Sequence, residues 1–299
     1  MSDATILTRK ASKNASQSLS REAAGIHLSG PNANKTALVL VSGDPGQEAI
    51  EISKVYEKIG AFGTLFSDER LADLLTRHGP LAAVFVDCPL TLPPCVACQR
   101  PLCPGAVQCD DVAVAYMMAI SSRVRRRGAR KARPVNPQSQ RVWDVMRLSE
   151  PTEDATEPTF SANLAPLVTR ARTLQRRLNA LDPQILLKET QISTALDALR
   201  QPLCLPDQVK LEYRRFETGL AMRESIIESM IKRRLLAPQR TDVIAQISGS
   251  VEIFHAFMAA VVGSLHLAGL TLERPESFRE EDGWVHLPDL ADWVGAATE

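Results

Sequence analysis

The chain has 299 residues, 44% of them hydrophobic, and 35 Lys plus Arg balance 35 Asp plus Glu. That is enough apolar material for a substantial core. Zero net charge excludes attraction to nucleic acid or membrane through bulk electrostatics, so any polyanion contact must come from local clusters.

Residues 1–21 are polar and Ser-rich and read as a disordered tail without a secretory signal. "AAGIHLSG" from Ala23 reads as a buried strand closing in a turn, and "TALVLVSG" from Thr36 as a second. "EAIEISKVYEKIG" alternates only partly, and its pattern does not decide between strand and helix. "SDERLADLLTRHG" carries a Ser67 cap, early acids, helical apolar spacing and a terminal Gly79. "LAAVFVD" reads as a strand buried on both faces, ending at Asp87.

Four cysteines follow at once, Cys95, Cys98, Cys103 and Cys109, spaced C-x2-C-x4-C-x5-C. Thiolates two residues apart can reach one ion from a tight turn, and the later pair can complete a tetrahedron. The loop 88–110 is therefore expected to hold Zn²⁺, with an iron–sulfur cluster as the competitor. Cys88 lies beside Asp87, and Cys204 reads as a small buried hydrophobe.

"DVAVAYMMAISSRVRRR" reads as a helix. It opens a basic, Pro-rich insertion over 123–163 containing one short helix at Val142–Leu148. Arg123, Arg125, Arg126, Arg127, Arg130, Lys131 and Arg133 make a basic tract suited to phosphates. The competing reading is a solvated helix end, and with 5% aromatic residues there is little for bases to stack on. Arg141 is a candidate phosphate or carboxylate clamp. "LAPLVTRARTLQRRLNAL" reads as a helix with Arg170, Arg172, Arg176 and Arg177 on its outer side, and "QILLKET" as a short strand ending at Glu189. Helices over 210–236 and 251–270 precede "DGWVHLP", a short terminal strand or loop. The apolar run 257–270 is shorter than the ~20 residues of a bilayer span and contains His266. A cytoplasmic protein without a membrane partner is expected.

"AGIHLSGPNANKTALV", "VFVDCPLTLP" and "HAFMAAVVGSLHLAGL...DGWVHLP", in that order, resemble the bacterial and archaeal family of predicted RNase H-like nucleases. "RPVNPQSQRVWDVMRL" resembles that family's Pro-x-x-x-Arg segment, and "LLKETQ" its strand carrying an acid. The resemblance implies an α/β fold, a mixed five-stranded sheet flanked by helices, forming a single domain over 22–299. It also implies catalytic acids at strand ends that hold divalent ions. Asp87 and Glu189 stand at such positions, whereas His27 and His255 stand where the family has Asp. The four would suit one Mn²⁺, Fe²⁺ or Zn²⁺ better than a pair of Mg²⁺. A metal-dependent nuclease acting on nucleic acid is the expected function. A catalytically silent binding module, with His27 and His255 as core histidines, and a mononuclear metalloenzyme are the alternatives.

Overall fold

The computed structural model describes residues 22–30, 35–59, 67–126, 135–148, 159–276, 278–279 and 282–291. The expected tail, residues 1–21, lies outside them. Five strands form one sheet: β1 (Ala23–His27), β2 (Ala37–Ser42), β3 (Glu51–Tyr56), β4 (Ala83–Val86) and β5 (Leu187–Glu189). Their order is β3-β2-β1-β4-β5. β2 runs antiparallel to both β1 and β3, while β4 is parallel to β1 and β5. This mixed five-stranded α/β sheet is the one the sequence implied, and its order is consistent with an RNase H-like sheet. β3 settles as a strand. It lies at the sheet edge and is mostly solvated, so its charged residues blur the alternation that a half-buried strand would show.

One face of the sheet is covered by α1 (Ser67–Arg77) and α5 (Ala165–Leu181), whose Leu71, Leu75, Leu174 and Leu178 pack on Ile26, Leu38, Leu40 and Val84. The connection after β4 holds the short α2 (Pro94–Ala97), followed by α3 (Val112–Arg126) and α4 (Val142–Leu148). After β5 come α6 (Ile192–Leu199), α7 (Val209–Glu212), α8 (Gly219–Lys232), α9 (Thr241–Gly249) and α10 (Val251–Leu267). α10 is buried almost throughout and covers the other face, on Ala23, Val39 and Phe85. Among the described residues no single helix is long and apolar enough to cross a membrane. The apolarity of α10 is explained by its burial in the core, where each full Val, Leu or Phe contributes roughly 1.5–3 kcal/mol.

The expected helix over 210–236 is broken. Tyr213 is fully buried, and Arg223 ties the break together by donating to the carbonyls of Tyr213 and Ser248 at 2.6 Å each. α6 and α9 are additional to the sequence reading. α9 and α10 meet at Ser250, whose hydroxyl accepts from Ile253 N and caps α10.

α10 lies unusually close to β1. A Cβ on Gly25 would stand 2.0 Å from the carbonyl oxygen of Ala256 and 2.1 Å from the nitrogen of Ala260. Only a residue without a side chain permits this approach. Gly25 and His27 share a face of β1 because side chains alternate along a strand. The glycine contact therefore brings α10, with His255 one position before Ala256, down onto His27.

Candidate functional site

His27 closes β1, Asp87 follows β4, and His255 sits in the first turns of α10. In the parallel register Gly25 pairs with Phe85 and Ile26 with Val86, so His27 and Asp87 emerge on the same face, under α10. One ligand atom from each of His27, Asp87 and His255 lies within 4.8 Å of the other two. The two imidazoles meet edge to face with centroids 5.2 Å apart. They line a pocket of about 410 Å³, together with Gln191, Ser193, Lys210 and Arg214.

Asp87 is anchored from two sides. Its Oδ1 accepts from the Ile192 N–H at the start of α6 at 3.1 Å, and its Oδ2 lies 2.7 Å from His255 Nδ1. Burial alone would raise its pKa, but His255, Arg214 and the Ile192 N–H outweigh burial and hold the carboxyl below its usual value. His27 moves the other way. Burial first, and then the neighbouring His255, depress it to about 4, so its ring is neutral at pH 7 and carries a free lone pair.

Nδ1 of His27 is buried without a hydrogen-bond partner, whereas Nδ1 of His255 is engaged with Asp87 Oδ2 at 2.7 Å. With Nδ1 held against Asp87, the Nε2 of His255 faces Arg214. Buried polar atoms without partners are uncommon and call for a missing ion or water. Two imidazoles and a carboxylate are a ligand set for a divalent transition metal, whose bonds run about 2.0–2.2 Å. These residues fit such an ion.

Sequence reading did not find Arg214. Its Nε donates to His255 Nε2 at 3.2 Å, and its Nη2 lies 4.0 Å from Asp87, with the side chain half exposed over the Tyr213 ring. The signal was the "YRRF" pair inside what looked like continuous helix. The helix break at Tyr213 is what turns Arg214 towards the site.

Glu189 lines the same pocket but does not join the triad. It pairs with Val86 in the register, and so it points to the face opposite Asp87. There Arg141 grips it with two bonds of 2.6 and 2.7 Å, and Leu90 N donates a third at 3.0 Å. Burial favours a protonated Glu189 and Arg141 favours the carboxylate. Burial is the larger influence and raises the Glu189 pKa, while the bidentate contact with Arg141 opposes that rise. The Glu189 carboxylate, expected as a ligand, is engaged here by Arg141 and stands outside the group of His27, Asp87 and His255. Arg141 takes the carboxylate alternative of its two expected roles. It is buried between Glu189 and Asp144, so it clamps carboxylates of its own chain and does not face solvent as a phosphate contact would.

The cysteine loop is less gathered than its spacing suggested. Cys95, Cys98, Cys103 and Cys109 border one pocket of about 420 Å³, but among the described residues they form no group close enough to hold an ion. All four are free thiols. Burial first, and then Cys109, Cys103 and Cys98, push the Cys95 thiol up. Cys88 is buried at the triad pocket, and burial holds its thiol well above the usual range. Cys204 is exposed, with φ of 53°, which corrects its expected burial.

Of the basic tract, Arg123, Arg125 and Arg126 fall on the last turns of α3, where only the backbone is described. Arg127, Arg130, Lys131 and Arg133 lie outside the described residues. The arginines of α5 divide: Arg170 and Arg177 pair with Asp68 and Glu69 on α1, while Arg172 and Arg176 do not.

No family model matches the chain, and neither a curated protein nor a solved structure does.

Proposed function

We propose that this chain is a divalent-metal-dependent phosphodiesterase acting on nucleic acid, with one ion held by His27, Asp87 and His255. The observation that carries the reading is the convergence of His27, Asp87 and His255, with the buried His27 Nδ1 unpartnered, at the strand ends of a sheet with RNase H-like order. One ion is proposed rather than two because Glu189 is already neutralised by Arg141. The donors favour Mn²⁺, Fe²⁺ or Zn²⁺ over Mg²⁺.

When bound, the ion would supply Lewis-acid charge to a phosphoryl oxygen. The chain's own residues do the rest. The Ile192 N–H and the His255 ring fix Asp87, and neutral His27 offers its lone pair without having to lose a proton. Arg214 is half exposed at the pocket and can turn from His255 Nε2 to a phosphate oxygen, where its planar fork is well matched. The basic tract around 123–133 is proposed to neutralise phosphates further along the substrate.

We also propose that the cysteine loop closes around Zn²⁺, drawing its four thiols together, with an iron–sulfur cluster as the competing occupant. The shared pocket and the mutual influence of the four thiols support this. Cys95→Ser/Cys98→Ser should then lose one equivalent of bound zinc while the triad keeps its ion.

The test is metal-stripped protein assayed on single- and double-stranded DNA and RNA with Mg²⁺, Mn²⁺, Fe²⁺ and Zn²⁺ in turn, alongside metal stoichiometry. Metal-dependent cleavage is expected, with His27→Ala and Asp87→Asn each losing both the bound ion and activity. Intact substrates under every ion, with salt-dependent binding retained, would make the chain a silent binding module instead. The ligand set also matches the two-histidine, one-carboxylate arrangement of mononuclear iron enzymes. An oxygen-reactive iron at the triad would favour small-molecule chemistry.

A further inference from the structure

A second and larger cavity, about 950 Å³, opens beyond the β5 edge of the sheet. Its walls are α5, β5 and the segment 283–286, which is the "GWVH" stretch. That segment docks through His286 N–H to the Glu189 carbonyl at 2.9 Å, and the Thr190 hydroxyl donates to the His286 carbonyl. The cavity and the triad pocket both reach Glu189, so the two adjoin at the end of β5.

The charge of this cavity is one-sided. Arg172, Arg176, Lys188 and Arg274 line it against Glu273 and Glu189, and Glu189 is already matched by Arg141. None of the four cations has an ion pair among the described residues, whereas the sister arginines Arg170 and Arg177 on α5 are paired. Arg172 and Arg176 stand one helical turn apart, roughly 5–6 Å between Cβ atoms, and so share a face. Unpaired like charges held together on a rigid helix and strand repel one another until an anion arrives.

The floor is aromatic. His266 and His286 meet edge to face at 4.6 Å over Phe85, and Trp284 adds a partly buried ring. The buried Nε1 of Trp284 has no hydrogen-bond partner. Burial, then His266, Lys188 and Arg274, hold His286 down to about 3, so it is a neutral ring at physiological pH. Cations along a groove with flat rings on its floor are the general means of holding single-stranded nucleic acid: phosphates on the charges, bases on the rings.

We infer that this cleft binds the phosphate backbone of a single nucleic-acid strand, leading it across the β5 edge to the triad. The ligand class rests on the phosphodiesterase reading, whereas the cleft's charge and shape do not. Binding is measured in EDTA on the full-length chain, by anisotropy of a labelled oligothymidylate of about 12 nucleotides, across a salt series. Arg172→Glu/Arg176→Glu should weaken binding by more than about tenfold and flatten the salt slope by about 1.4, two phosphates at about 0.7 each. Lys188→Gln and Arg274→Gln should each give a smaller loss in the same direction. All four sites are solvent-accessible, and circular dichroism confirms that each variant is folded. The tract at 123–133 is common to every arm and cancels in the comparison.

Affinity and slope unchanged in the double variant would overturn the inference. So would an absence of oligonucleotide binding, or binding of inorganic pyrophosphate alone. Because EDTA removes hydrolysis from the readout, failure of the cleft and failure of the catalytic reading are separate results. Cleavage that persists with a silent cleft sinks only the first, and a working cleft on a protein that never cleaves sinks only the second.

Discussion

Asp87 and Glu189 end adjacent parallel strands, both are largely removed from water, and both face carriers of positive charge or lone pairs. Their fates differ completely. Asp87 emerges under α10, where one imidazole, His255, contacts it and another, His27, keeps a buried nitrogen unpartnered. Glu189 emerges on the other face, where Arg141 and Leu90 N–H take both its oxygens. The difference is one of parity. Val86 and Glu189 are register partners, so the acid one residue later, Asp87, lies on the opposite side of the sheet. A carboxylate at the right end of the right strand is thus not yet a ligand, because a shift of one residue decides whether it serves an ion or the fold.

The sharpest way to break that comparison is to remove each acid in turn. Asp87→Asn keeps the bond from Ile192 N–H, so the fold should persist. Metal affinity should fall by at least the roughly 10–100-fold that even outer-shell losses cause, read by calorimetric titration of stripped protein. Glu189→Ala should do the reverse, leaving one ion bound while lowering stability in a urea melt by somewhat less than the about 3–5 kcal/mol of a fully stranded buried charge, because Arg141 loses its bidentate partner and keeps only Asp144. If Glu189→Ala empties the site without unfolding it, the two acids are not distinct in the way described.

Gly25→Ala tests how α10 reaches the sheet. The added Cβ would overlap backbone atoms of α10, which cannot rotate away, and overpacking of this kind destabilises by about 1–3 kcal/mol or more. Metal affinity should fall with it although Gly25 is no ligand. Retained affinity would mean that the close approach of helix to strand does not position His255.

Arg214→Gln carries the smallest and most diagnostic effect. Its guanidinium competes with an incoming cation for His255 and Asp87, so removing it should tighten metal binding by roughly tenfold. The same change should raise KM for a phosphodiester substrate, since an anion-binding fork is lost. Opposite signs in the two measurements separate Arg214 from a merely structural arginine.

Much of this was legible in the sequence. β-branched runs and turn residues marked β1, β2 and β4, and the positions of His27 and Asp87 at strand ends followed from them. The role of Glu189 was not legible, because facing depends on register between β4 and β5, which lie 100 residues apart in the chain. Arg141 and Arg214 were obscured for related reasons. The buried environment of Arg141 comes from a strand remote in sequence, and Arg214 turns inward only because buried Tyr213 interrupts the helix. The arginines of α5 looked like one basic face. Only the packing of α1 shows that Arg170 and Arg177 are paired while Arg172 and Arg176 border the second cavity. The cysteines were conspicuous by spacing, yet spacing along a loop does not fix how closely the thiols approach.

The most direct measurement is zinc-edge X-ray absorption of the Cys95→Ser/Cys98→Ser protein loaded with one equivalent of Zn²⁺, which silences the competing thiol loop. A first shell of nitrogen and oxygen alone at about 2.0–2.1 Å, with outer-shell scattering from two imidazoles, is the expected result. A sulfur shell near 2.3 Å, a single imidazole, or a protein that takes up no ion would contradict a centre built from His27, Asp87 and His255.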